Sequence, residues 1–386
     1  MAADERFSYK NIKTKYVESD YFDTVEIKIP LTVINPDKSP SDSYKIEGLS
    51  VAFENYSEHV MEKKDIQSKI KDINEKIENY RLKNNKEWNI FYLFKELIQK
   101  FHKEENYYRG QVHNWDMLPG ILRAHTNSEL QNRFESLYQD IMYRYPNEID
   151  YFEPRASYDV IKERELNLAY LQHYGMNTSL LDITENPYIA LLFMITDNSD
   201  SFNKATFEIY KINKEKHSKN NIYSRVKMLN SNQRIIAQKG AFLNFDKVSL
   251  FTFNSDIKRI LMIRISLEHN FEDLEDLMAK RKELDKDKNE GGLFNNNNIE
   301  IYREWWEINL EIDKKKRYFN DSYLDSIKNS IQKKLSEYHY RESELFPDLF
   351  KYITYRQKDY ISTSNQNQRN NTESEDKTIN ELEDLL

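Results

Sequence analysis

Cysteine is absent from all 386 residues. That one omission excludes disulfides, thiolate-bound zinc, iron–sulfur clusters and cysteine nucleophiles together. A basic excess is missing too: 57 Lys and Arg face 65 Asp and Glu, a net charge of -8, which argues against a general electrostatic grip on nucleic acid but leaves room for a local basic groove. No apolar run approaches the roughly 18 residues that span a bilayer. The opening MAADERFSYKNI lacks the basic-then-apolar order of a secretory signal. A soluble, cytoplasmic protein with no membrane partner is the expectation. Also missing are GxxxxGK[ST], HExxH, GxSxG and a GxGxxG after a strand. The 8 His show no recognisable ligand spacing, so no metal residues are expected.

What is present can still build a core. The apolar fraction is only 39% and the charged fraction 32%, but 27 Tyr and 20 Phe supply large apolar surfaces. Chemistry must then come from His, carboxylates, hydroxyls, amides, Arg or a bound cosubstrate. The length exceeds one compact core, which predicts a main domain with appendages or two small domains.

Local periodicity gives the elements. In DTVEIKIPLTVI the apolar Val25, Ile27, Ile29 and Leu31 alternate with polar residues, predicting a half-exposed strand, with Pro30 favouring a sheet edge. From about 55 to 84 the period turns helical, with Ile66, Ile70, Ile73, Ile77 and Tyr80 in one stripe. Further helices are predicted near 87–103, 127–144, 158–173 and 185–196, charged ones beyond Ser266, and another near 322–340. An aromatic strand ends at Arg109-Gly110, and ATFEIYKI, KGAFLNF, VSLFTF and RILMIRIS read as short strands. The sum is an α+β class: a small mixed sheet flanked by helices, with helical appendages. Residues 1–47 read as a strand-containing N-terminal extension, and 362–386 as a polar, acidic tail with little to bury and no fixed structure.

Three polar blocks stand out. In the first, Arg109 and Gly110 set a planar five-donor cation beside backbone that a ligand can approach, which suits phosphate or ribose; an ordinary pairing with a carboxylate such as Asp182 competes. The second, QHYGMNTSLLDITENP, gathers Gln172, His173, Thr178, Asp182, Thr184 and Asn186 ahead of an apolar helix. Gly175 permits a left-handed turn there, and Asp182 or Thr184 is the expected helix cap. Capping explains one or two of these groups, not six. The third, NSNQRIIAQKGAF, carries Arg234, Gln238 and Gly240 before a strand, where the Gln238 amide suits a ribose or nicotinamide.

Together these blocks resemble the FRG domain, a family named for a Phe-Arg-Gly triplet. Here the triplet reads Tyr108-Arg109-Gly110, followed by Gln111, Trp115, Leu118, Pro119 and Arg123 in the family's order. QHYGMNTSLLDITENPYIALLF looks like the family's most recognisable segment, with Ile183 where an aromatic usually precedes the Thr; QRIIAQKGAF and ELFPDL look like its later blocks. The resemblance spans about 48–352 and gives an FRG domain over 48–361 with helical insertions.

The order of blocks is in turn similar to ADP-ribosyltransferase-type folds with a split sheet. That resemblance implies NAD as cosubstrate, with Arg109, Gly110, Gln172, Thr178, Thr184 and Arg234 binding it and His173, Asp182 and Gln238 in the chemistry. The chain departs from that pattern where such transferases commonly carry a Glu: Gln238-Lys239-Gly240 has no carboxylate. Either Asp182 supplies the negative charge or the pocket only binds. The leading expectation is a bacterial toxin or antiphage effector that transfers ADP-ribose to a macromolecular acceptor or hydrolyses NAD. The alternative is a non-catalytic module recognising a nucleotide, nucleic acid or phage protein and assembling with a protein partner or its own copies. A nuclease ranks below both, because no D-x-E pattern around a Lys lies near the blocks.

Overall fold

Period-two alternation sorts the strand residues onto two faces, and each face buries its own core. The computed structural model describes residues 7–34, 44–54, 60–83, 89–103, 105–196, 204–225, 239–251, 259–271, 274–290, 296–319 and 323–341. Arg234, Gln238, the ELFPDL block and the tail lie outside the described residues. The strands are β1 (Phe22–Val33), β2 (Tyr44–Ile46), β3 (Ser50–Glu54), β4 (Asn106–Gln111), β5 (Leu180–Thr184), β6 (Thr206–Lys211), β7 (Tyr223–Ser224), β8 (Gly240–Asn244) and β9 (Ile260–Phe271). The helices are α1 (Tyr9–Lys15), α2 (Glu18–Tyr21), α3 (Val60–Leu82), α4 (Ile90–Phe101), α5 (Ser128–Arg144), α6 (Tyr158–His173), α7 (Pro187–Ile195), α8 (Lys214–Asn220), α9 (Asp246–Leu250), α10 (Leu274–Glu290), α11 (Asn296–Tyr318) and α12 (Leu324–Glu337).

All nine strands join one open, mixed sheet in the order β2-β1-β9-β6-β4-β5-β8-β7, with β3 also on β1. The α+β class is as expected, but the sheet is not small. Among the described pairs only β1 and β9 run parallel, in register over twelve positions from Phe22↔Ile260 to Val33↔Phe271. β1 is therefore no edge strand, which corrects the reading of Pro30. The proline is tolerated because it falls between two short antiparallel partners: β3 ends at Lys28↔Ser50 and β2 begins at Leu31↔Ile46. Pro30 still pairs with Glu268 of β9, but its carbonyl accepts from Glu47 N–H at 3.2 Å on the opposite side, so the missing N–H falls in the gap between β3 and β2 and not on the β9 ladder.

One face packs Tyr108, Phe207, Ile209, Ile263 and Ile265 under α3, α4, α7 and α12. The other packs Tyr107, Tyr210, Ile260 and Met262 under α1, α5, α6 and α9. The predicted stripe of α3 is the buried one, with Ile66, Ile70, Ile73 and Ile77 all sealed. Each such side chain contributes roughly 1.5–3 kcal/mol by leaving water. VSLFTF begins as α9 rather than as a strand, with Val248 buried against the second core, so an apolar run was misread for period. Among the described residues, α10 and α11 share a small seam of Leu284, Ile308 and Ile312, and no helix is long and apolar enough to cross a membrane.

Candidate functional site

Alternation on β4 turns Tyr107, Arg109 and Gln111 to one face and Tyr108 and Gly110 to the other. On the first face the register builds a row of alternating charge across four neighbouring strands. Arg109 stands opposite Glu208 of β6, Glu208 opposite Arg264 of β9, and Arg264 opposite Glu26 of β1. Arg109 Nη1 donates to Glu208 Oε2 at 3.3 Å, Arg264 Nε donates to Glu208 Oε1 at 3.0 Å, and Arg264 Nη1 reaches Glu26 at 3.2 Å. Tyr210 also donates to Glu208, at 2.5 Å. Burial alone would raise the Glu208 carboxyl, but Arg264 and Arg109 together hold it below the usual carboxylate range. The carboxylate paired with Arg109 is thus Glu208, where the sequence offers Asp182 as an example of such a partner.

Only one of Arg109's five N–H donors is used among the described residues, although the side chain is buried. The residue lines a cavity of about 380 Å³. It opens where β4 and β5, adjacent in the sheet, share the single register pair Tyr108↔Thr184. Arg109 and Gln111 line it from β4, Asp182 and Thr184 from β5, Gly240 and Phe242 from β8, and Phe193 and Thr196 from α7 and the residue after it. Trp115 and Arg123 close it from the segment after β4. Burial and the neighbouring charge of Arg109 push the Arg123 guanidinium below its ordinary value, while Asp182 opposes them. Two cations and one carboxylate therefore share one hollow.

Asp182 is held from behind. Gln172 Nε2 donates to Asp182 Oδ2 at 2.8 Å, and the Thr178 hydroxyl donates to Gln172 Oε1. Gln172 reaches it because α6 ends at His173 and the chain reverses through Gly175, whose φ of +93° is the expected left-handed turn. Gln172, Thr178 and His173 do not line the cavity; His173 lies edge-to-face on Tyr174, with ring centroids 4.9 Å apart. Neither Asp182 nor Thr184 caps α7. Both lie on β5, a strand missed in the sequence, and Asn186 is the cap, its side chain accepting from Tyr188 N–H with Pro187 in the first turn.

Gly110 has a packing reason to be glycine. A Cβ there would lie 1.8 Å from the Ala190 carbonyl oxygen, so α7 packs directly on the backbone of β4 while Gly110 also lines the cavity. Of the third block, Gly240 reaches the cavity. Sequence reasoning missed Arg123 as a lining cation and Glu208 and Arg264 as supports. A lone Glu within TFEIYK and a lone Arg within ILMIRIS, both otherwise apolar strand centres, were the available signal. Among the described residues no group of three His, Asp or Glu is placed to hold a metal ion.

The FRG domain family matches the chain over residues 104–203, a stretch that holds β4, β5, α7 and most of the cavity wall but ends before β6 and β8. No curated protein and no solved structure matches the chain.

Proposed function

We propose that this pocket takes NAD and that the chain either transfers ADP-ribose from it to a macromolecular acceptor or hydrolyses it, as a bacterial toxin or antiphage effector. The observation that carries the reading is that Arg109, Asp182 and Gly240, one from each polar block, line a single cavity. The donor set fits such a ligand. Two guanidiniums suit a pyrophosphate, and the volume of about 380 Å³ lies at the lower end of small-molecule sites, enough for one half of a dinucleotide with the other half at the mouth. We read the parting of β4 from β5 as the counterpart of the split sheet in ADP-ribosyltransferase-type folds.

NAD supplies the ADP-ribosyl group whose bond to nicotinamide breaks. In this reading Arg109 anchors phosphate, braced by Glu208, which Arg264 holds from its other side. Asp182 supplies the fixed negative charge that faces a ribose becoming positive, a role for which preorganisation matters more than proton transfer. Gln172 and Thr178 hold that carboxylate in place. Thr184 and Phe242 shape the wall beside it. No role is assigned to His173, which stands off the cavity, while Gln238 and Arg234 keep the roles that the resemblance implies. The test is release of nicotinamide from NAD by the purified chain, alone and with bacterial or phage-infected extracts. Arg109→Ala and Asp182→Ala are each expected to abolish release with the melting temperature nearly unchanged. No release by a well-folded wild type under any of these conditions counts against the enzyme.

A second reading, a recognition module that assembles with partners, is favoured by one observation. Tyr302, Trp306 and Leu310 recur every four residues along α11 and are all exposed. On that reading Trp306→Glu changes the assembly state or partner capture and leaves ligand binding in the cavity untouched.

A further inference from the structure

The segment from Gln111 to Arg123 makes three separate contributions to the cavity that the polar blocks do not explain. Arg123 projects its guanidinium there while its Nε donates to the Leu118 carbonyl at 3.2 Å; among the described residues it has no ion pair. Trp115, 43% exposed, stacks on His113 with centroids 5.6 Å apart and planes 28° apart, leaving an aromatic surface at the rim. Gln111, only 4% exposed, lines the cavity with its Oε1 buried and accepting no hydrogen bond among the described residues. A cation without an ion pair and an exposed ring are two unmet demands on one ligand, and the buried Gln111 forms the wall beside them.

The segment is also anchored, so its groups are held ready. Ile121 N–H donates to the Thr178 carbonyl at 3.2 Å, and Thr126 Oγ1 to the Gly120 carbonyl at 2.7 Å. Gly120 itself presses on Asn177, where a Cβ would meet Oδ1 at 2.8 Å. The wall is thereby tied to the same turn that positions Gln172 and Asp182.

We infer that Gln111, Trp115 and Arg123 form the subsite for the nucleoside diphosphate part of the ligand, with Arg123 and Arg109 on opposite flanks of the two phosphates. Trp115 stacks the base, a contact that tolerates any base because each has a π-face. Gln111 shapes the wall beside Trp115 and Arg123. The reacting end then lies toward Asp182 and Phe242, on the β5–β8 side. This assignment rests on the nucleotide reading of the pocket above and adds which wall holds which part.

Calorimetric titration with ADP and with inorganic pyrophosphate separates the two. The wild type binds both, ADP more tightly. Arg123→Gln weakens both by about tenfold or more, as expected for losing a charged hydrogen bond, and Arg123→Lys recovers part of the loss. Trp115→Ala weakens ADP by about fivefold to a hundredfold and leaves pyrophosphate unchanged. Unaltered ADP affinity in both Arg123→Gln and Trp115→Ala overturns the subsite. If Arg109→Ala has meanwhile lost ADP, the nucleotide pocket survives that failure. A folded wild type that binds neither ADP nor NAD ends both.

Discussion

Arg109 and Arg164 are both buried and both paired with carboxylates, yet only one of them adjoins a hollow. All five N–H groups of Arg164 have protein acceptors: Nε on Asp246 at 2.8 Å, Nη1 on Glu135 at 3.0 Å and the Phe152 carbonyl at 2.7 Å, Nη2 on Glu135 at 2.6 Å and Tyr9 at 3.2 Å. Burial alone would depress this guanidinium, but Asp246, Tyr9 and Glu135 hold it well above its ordinary value. Arg109 makes one such bond among the described residues and faces about 380 Å³ of cavity. A saturated arginine knots the fold together, because α1, α5, α6 and α9 each send a group into that cluster. An unsaturated one beside a cavity has donors left over, which under the proposed function an anion would take. Burial does not separate the two cases; donor saturation does.

The sharpest way to break that comparison is Arg164→Met. It leaves Asp246, fully buried, and Glu135 without their common cation, and uncompensated buried charge costs about 3–5 kcal/mol. Urea unfolding should show the midpoint falling by that equivalent. A loss below about 1 kcal/mol would mean the cluster is no more than a solvated pairing.

Next in size is Gly110→Ala, which asks whether the cavity's own wall is packed like the core around Arg164. The added carbon meets the backbone oxygen of Ala190 at 1.8 Å and its carbonyl carbon at 2.8 Å, and no side-chain rotation relieves a backbone contact. β4 and α7 must separate, at a cost of about 1–3 kcal/mol or more, and Arg109 shifts with β4. Thermal unfolding and ADP titration on the same variant should both suffer. A stable variant with intact binding would show that α7 slides easily and that the wall is soft.

Much of this frame could be read from the chain. The limits of α6 match the predicted 158–173, and the alternation of β1 and the apolar α7 were plain, because each spans enough residues for its period to emerge. β5 was missed because five residues, Leu180 to Thr184, sit between two helices and carry two groups that mimic caps. Within the candidate site, Arg109, Gly110, Asp182 and Thr184 line the cavity as a set. Gln172 and Thr178 act one layer behind, since which side of a turn a polar group takes depends on the φ of Gly175 and not on residue type. Glu208 was open to suspicion as a lone carboxylate in an apolar strand, but its pairing with Arg109 was not legible: that is a cross-strand register, set by how β4, β6 and β9 align, and no spacing along the chain encodes it.

The smallest stability effect belongs to Arg109→Gln, and its smallness is what the comparison demands. Glu208 would keep Arg264 at 3.0 Å and Tyr210 at 2.5 Å, so its carboxylate is not stranded when one cation leaves. Water entering from the adjoining cavity can satisfy the glutamine amide, which the sealed Arg164 site does not allow. The expected change is about 1 kcal/mol or less, near the value of one ordinary hydrogen bond, alongside an ADP affinity reduced by about tenfold or more. Urea unfolding of Arg109→Gln beside Arg164→Met decides the matter. Equal losses would make Arg109 a second structural knot and the hollow beside it incidental, whereas a several-fold gap ties its unused donors to a ligand.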